Sequence, residues 1–297
     1  MRSFLNNTIR ILFHISENQP GFVDGVFEQV KEFVGVLNKE LSYTGERWIK
    51  LSDHSIPNVI KEYTSDTIHE LRADYDETKY EVYALSAEVY YSLGAKKSKV
   101  IFSANLKKSD LAPAHDGREY NFEILFTKAV WDRINLFTFI TAVQKTCCKL
   151  NVMYACVDLG SCVPRKIRQS MFRIASNISD QTNVYSYLPG IFWGQYITPQ
   201  MCEKIGMNYS FLDNAPCSLV QDISSYEARG KWLQISSKVW TTSREQRLLL
   251  REYFSKYLYP VSTERIAGLK HDPFSQFSID LLPLKDEEIM EINNIKV

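Results

Sequence analysis

No window of the 297-residue chain approaches the roughly 18 uninterrupted apolar residues that a membrane helix needs. The most apolar candidate, residues 129–143, is broken by Asp132, Arg133 and Asn135. Net charge is missing as well. Lys plus Arg equals Asp plus Glu at 35 each, so no global field favours nucleic acid or an anionic membrane, and an electrostatic partner must be recognised by a local patch. The six cysteines, Cys147, Cys148, Cys156, Cys162, Cys202 and Cys217, contain no C-x-x-C pair, which excludes the usual zinc and redox spacings. Vicinal Cys147 and Cys148 sit in an apolar helical stretch and cannot easily bridge each other, so the thiols read as reduced and structural. The N-terminal apolar run from Ile9 to Ile15 is interrupted by Arg10 and His14 and is too short for a signal-peptide core. These absences lead us to expect a soluble, cytoplasmic protein with no membrane partner.

The motifs of common enzyme classes are also lacking. There is no G-x-x-x-x-G-K-[ST], G-x-G-x-x-G, H-E-x-x-H or G-x-S-x-G, so phosphate cradles, zinc helices and nucleophile elbows carry no signature here. His14, His54, His69, His115 and His271 are scattered, and none has a His or Cys at the three- or four-residue step that builds a metal face on a helix. One weak arrangement remains. Asp66 followed by Glu77 and Lys79 has the D…E-x-K order of restriction-type nucleases, in which two carboxylates hold a divalent metal and the Lys assists water. That chemistry wants a buried strand beside a basic groove, whereas this stretch is polar and acidic. The expectation is therefore a protein without catalytic residues, cofactor or metal, with a nuclease using Asp66, Glu77 and Lys79 as the alternative.

Apolar residues make up 45% of the sequence and aromatics 13%, enough for a packed core in one large domain or two closely packed lobes. Residues 8–15 read as a strand; Pro20 and Gly21 then punctuate the chain. Phe22, Val26, Val30, Phe33, Leu37 and Leu41 recur at helical spacing and form one apolar face. Residues 98–106 and 119–126 read as strands that could close a long-looped hairpin across the polar stretch 107–117. An amphipathic helix follows, with Val130, Trp131, Ile134, Phe137, Ile140, Val143 and Cys147 inward, and 151–159 reads as a buried strand. Beyond Gly160 come a short helix around 166–174, a polar loop at 176–186 and a strand at 190–197. Thr198, Pro199 and Gly206 mark the cap, first turn and stop of a short helix. Residues 231–239 read as a strand and 243–258 as a helix with Leu249, Tyr253, Phe254 and Tyr257 inward; the charged tail from Leu284 is expected to fray.

Strand-strand-helix-strand order without Gly-rich strand-to-helix turns predicts an α+β fold, a mixed or mainly antiparallel sheet with amphipathic helices packed on one face. The strand-helix segments 8–42 and 119–150 suggest two similar lobes. The chain is read as one domain, with 1–106 and 118–297 as the lobes if it divides.

Between residues 61 and 88, Glu62, Asp66, Glu70, Asp74, Asp76, Glu77, Glu81 and Glu88 face Lys61, Arg72 and Lys79, an excess of five negative charges. A like-signed patch accelerates encounter with an opposite charge. Asp66, Glu70, Asp74, Asp76, Glu77 and Glu81 are thus candidate contacts for a basic protein partner.

At GIFWGQYITPQMCEKIG, residues 190–206, the sequence resembles the type VI secretion immunity proteins of the immunity protein 52-like group, in which an aromatic-Trp-Gly strand leads into a Pro-containing helix that ends at Gly. The preceding YLPG, the strand and helix over 119–150 and the strand-helix unit at 231–258 also fit, so the resemblance covers roughly residues 98–258. It implies a protein that binds and neutralises a cognate secreted toxin, often a nuclease, by stoichiometric contact, with an effector-loading adaptor as a further non-catalytic alternative. The matching motif residues are Gly190, Trp193, Gly194, Pro199 and Gly206, which we read as structural: Gly for close backbone approach, Pro for helix initiation, Trp for core.

Overall fold

The computed structural model describes residues 8–15, 21–53, 59–64, 66–73, 82–108, 118–160, 187–224 and 229–258. The chain divides into two compact units, residues 1–155 with 223–229, and residues 156–222 with 230–297. The class is α+β: antiparallel strand pairs and amphipathic helices.

In the first unit the strands are β1 (Thr8–Ile15), β2 (Ser42–Asp53), β3 (Val59–Tyr63), β4 (Val82–Leu93), β5 (Lys96–Lys108) and β6 (Arg118–Thr127), ordered β3-β2-β4-β5-β6-β1. The hairpin expected across 107–117 is present, with β5 and β6 paired from Val100 and Phe126 to Lys108 and Arg118; residues 109–117 lie outside the described set. Alternation decides which face is buried. Leu85, Ala87, Val89 and Tyr91 of β4, Val100, Phe102 and Ala104 of β5, Phe122, Ile124 and Phe126 of β6, and Ile9, Ile11 and Phe13 of β1 are all buried, as period-two side chains on one side must be.

The helices α1 (Phe22–Leu37), α2 (Ile68–Ala73), α3 (Lys128–Trp131) and α4 (Leu136–Lys149) serve this apolar face. On α1 the predicted stripe of Phe22, Val26, Val30, Phe33 and Leu37 is buried. Phe27 stacks on Trp48 at 4.7 Å, and Phe33 lies 6.2 Å from Phe102 of β5 and 6.4 Å from Phe139 of α4. Polar links tie α1 to α4: the Thr146 hydroxyl donates to Gln29 at 2.9 Å, and Lys149 donates to Glu32 at 2.9 Å. The two strand-helix segments that suggested separate lobes are therefore neighbours in one unit, where β1 and β6 pair antiparallel from Thr8 and Thr127 to Ile15 and Tyr120.

One continuous helix over 129–150 was expected, with Phe137 inward. Two caps split it: Thr127 accepts from the Val130 amide, and Asn135 accepts from the Thr138 amide. The break resets the helical phase, so Phe139 is buried while Phe137 stands 79% exposed.

The second unit contains the end of strand β7 (Val152–Leu159), β8 (Gly194–Ile197), helix α5 (Pro199–Lys204), the start of β9 (Leu219–Ser224), all but the first residue of β10 (Arg229–Gln234) and helix α6 (Arg244–Tyr253). Its strands run β8-β10-β9, with Lys231 opposite Ile197 and Gln234 opposite Gly194. The helix signals at α5 hold: the Thr198 hydroxyl accepts from the Met201 amide, Pro199 opens the helix, and Gly206 has φ +68°. On α6, Ser243 and Gln246 form a reciprocal capping box. Its buried side is carried by Leu250, and Phe254 follows, whereas Leu249, expected inward, is 58% exposed. The strand expected to reach Val239 stops at Gln234, and Val239 opens a 3-10 turn instead. The expectations for 161–186 and for the tail from 259 fall outside the described residues.

Candidate functional site

The face of the first unit's sheet opposite the packed helices carries the charged side chains. Register aligns Arg47 of β2 with Glu88 of β4, and Glu88 with Ile101 of β5. Glu88 is the hub: Arg47 donates to it at 3.1 Å, Lys99 at 2.7 Å and the Tyr90 hydroxyl at 2.5 Å. Burial alone would raise its pKa, but hydrogen bonds from Lys99 and Tyr90, with the charges of Lys99 and Arg47, outweigh it and hold the carboxyl below its usual value. The same bond raises the Tyr90 phenol. Arg47 also reaches Glu62 at 3.4 Å. Beside these charges lie half-buried Ile49 and Ile101 and a Ser86–Ser103 hydroxyl pair at 3.2 Å.

Of the acidic candidates, Asp66 lies exposed in the turn before α2, and Glu70 is exposed on α2. Asp74, Asp76, Glu77 and Glu81 lie outside the described residues, as does Lys79. Among the described residues no group of three or more His, Cys, Asp or Glu side chains could hold a metal ion. Counting charge along the segment missed Arg47 and Lys99. They come from neighbouring strands and neutralise Glu62 and Glu88, and β-pairing is the physical signal that finds them.

In the second unit Trp193 of the motif meets a buried ion pair. Asp158 is fully buried and accepts from Arg247 at 2.9 and 3.0 Å, a bidentate fork. It also accepts from the Trp193 amide at 3.3 Å, while the Trp193 indole donates to the Ser236 carbonyl at 2.9 Å. A Cβ on Gly194 would lie 2.7 Å from the Trp232 ring, so the glycine permits a strand backbone to lie against an indole. Gly190 adopts φ +155°. Each motif residue thus has a packing or conformational task. A few residues away, Lys231 is buried and holds Asp213 at 2.6 Å and Asp222 at 2.7 Å. Burial opposes its charge, but these two carboxylates outweigh it and raise the pKa. Asp158, Arg247 and Lys231 were not singled out from the sequence, because a lone charged residue in a strand or helix carries no mark of its buried partner.

No protein-family model matches the chain, and no curated protein does. Among solved structures, one described as "Pseudomonas aeruginosa T6SS protein PA0821" is similar with a TM-score of 0.54 and 11% identity, covering 96% of this chain and 84% of that one. At that identity the likeness is one of fold.

Proposed function

We propose that the chain is a non-catalytic binding protein of type VI secretion competition, an immunity protein that neutralises a cognate toxin by stoichiometric contact. The observation that carries this reading is the fold shared with a type VI secretion protein over 96% of the chain, together with the motif resemblance at 190–206. The absence of strong catalytic motifs points the same way. The partner we propose is a basic toxin, nuclease-like in surface charge, that approaches the charged sheet face of the first unit and the acidic segment holding Asp66 and Glu70. Asp74, Asp76, Glu77 and Glu81 belong to the same proposed contact. Among the described residues Cys147, Cys148, Cys202 and Cys217 are free thiols, which fits action in a reducing cytoplasm. Among the described residues no helix is long and apolar enough to cross a membrane.

The test is co-expression with the product of the adjacent open reading frame. The reading expects a complex that co-purifies and cells that survive expression of that product. Survival without a complex, or metal-dependent DNA cleavage by the purified chain that Glu77→Ala abolishes, would replace it with an enzymatic one.

A further inference from the structure

In the first unit β3 is an outermost strand. Among the described residues it pairs with β2 alone, from Val59 opposite Ser52 to Tyr63 opposite Trp48. In an antiparallel pair every second residue turns its backbone N–H and C=O away from its neighbour strand, so β3 presents the kind of edge that templates a further strand. Its side chains separate by face. Lys61 stands opposite Lys50 on the helix side, where it meets Glu70 of α2 at 3.6 Å and lies 4.9 Å over the Tyr63 ring. Glu62 stands opposite Ile49 on the charged face, 59% exposed, and draws on Arg47, which also serves Glu88.

On the reading of the chain as a toxin-binding protein, on which this step rests, we propose that β3 takes an extended segment of the basic partner as an added strand, with a Lys or Arg of that segment facing Glu62. Charge selects this occupant. The carboxylate of Glu62 is exposed at the edge and Asp66 is exposed in the turn beyond it, while the basic Lys61 is engaged by Glu70. An opposite charge directly across two strands stabilises the pairing, and a like charge opposes it. The same rule disfavours a second copy of this chain. Two-fold pairing of β3 with itself keeps each face of the sheet on its own side, so the register that pairs all five residues sets Lys61 against Lys61. In strand addition the main-chain bonds supply affinity and alternate side chains supply selectivity; here Glu62 is the selecting residue.

Hydrogen–deuterium exchange of the full chain, free and mixed with the purified product of the adjacent open reading frame, tests the site. In the complex the amides of residues 59–63 should exchange at least about tenfold more slowly than in the free chain. Glu62→Lys should weaken the complex roughly tenfold, because a favourable cross-strand pair becomes a like-charge one, with little change in melting temperature. A complex that leaves exchange in β3 unchanged, or that forms as tightly with Glu62→Lys as with wild type, overturns strand addition and leaves neutralisation by binding standing. Absence of any complex overturns that reading, and strand addition with it.

Discussion

The same guanidinium–carboxylate chemistry is used differently in the two units. In the first, Arg47 is 44% exposed and divides itself between Glu62 and Glu88. In the second, Arg247 is 16% exposed and commits both its nitrogens to Asp158, which is fully buried. Water competes for the first pair and is excluded from the second. An exposed, shared ion pair can exchange partners at little cost and suits a surface that meets another protein. A buried fork that also orients the Trp193 amide fixes one local arrangement and suits a scaffold. Burial, then, separates the region we assign to binding from the region we assign to architecture.

The comparison breaks most sharply at Arg247. Replacing it with Ala leaves the Asp158 carboxylate uncompensated and should cost about 3–5 kcal/mol in denaturant unfolding. Replacing both partners by apolar residues of similar size, Asp158→Leu with Arg247→Met, should recover much of that loss. A single variant within about 1 kcal/mol of wild type would show that the pair is not the pin described here.

Acid should act on the first unit through His14. Its folded-state pKa of about 4 lies below the unfolded value of 6.5, so the unfolded chain binds the proton more readily. The contribution is full above about pH 6.5 and is lost as pH falls from there towards 4, amounting to about 3 kcal/mol by linkage. Stability measured at stepped pH should fall over that window in wild type and fall less in His14→Gln. Equal slopes would contradict the assignment. In the second unit, Gly194→Ala drives a Cβ to 2.7 Å from the Trp232 ring. Overpacking of this kind should cost about 1–3 kcal/mol, read as a lower melting temperature.

How much of this was legible in the residues depends on whether the pattern was local. The stripe on α1, the alternation of β1 and β6, and the Thr198–Pro199–Gly206 signals around α5 are local and read correctly. β2 was harder to see: its register shifts between Tyr43 and Gly45, which breaks the alternation, and Lys50 is buried where an apolar residue is expected. In β4 the alternation of Leu85, Ala87, Val89 and Tyr91 was available, but the segment was read for charge alone. Phe137 and Leu249 were assigned inward because a helix wheel cannot reveal a cap that resets the phase or which flank a partner covers. Neither Asp158–Arg247 nor Glu88–Arg47–Lys99 was visible, since pairing across distant positions is a property of topology.

At the small end, Arg47→Ala should change stability by about 0.2–1 kcal/mol, the usual worth of an exposed pair. On the proposed reading it should nevertheless speed association with a basic partner and steepen its salt dependence, because it removes the positive charge beside Glu62 and Glu88. A loss of stability comparable to that of Arg247→Ala would erase the contrast between the two units.

The central claim is neutralisation by binding, and titration tests it most directly. The activity of the purified product of the adjacent open reading frame is measured against increasing amounts of this chain. Stoichiometric inhibition predicts a linear fall that ends at a fixed molar ratio and does not deepen with time. Complete inactivation by a small fraction of an equivalent, progressing with incubation, would mean turnover and would contradict the account.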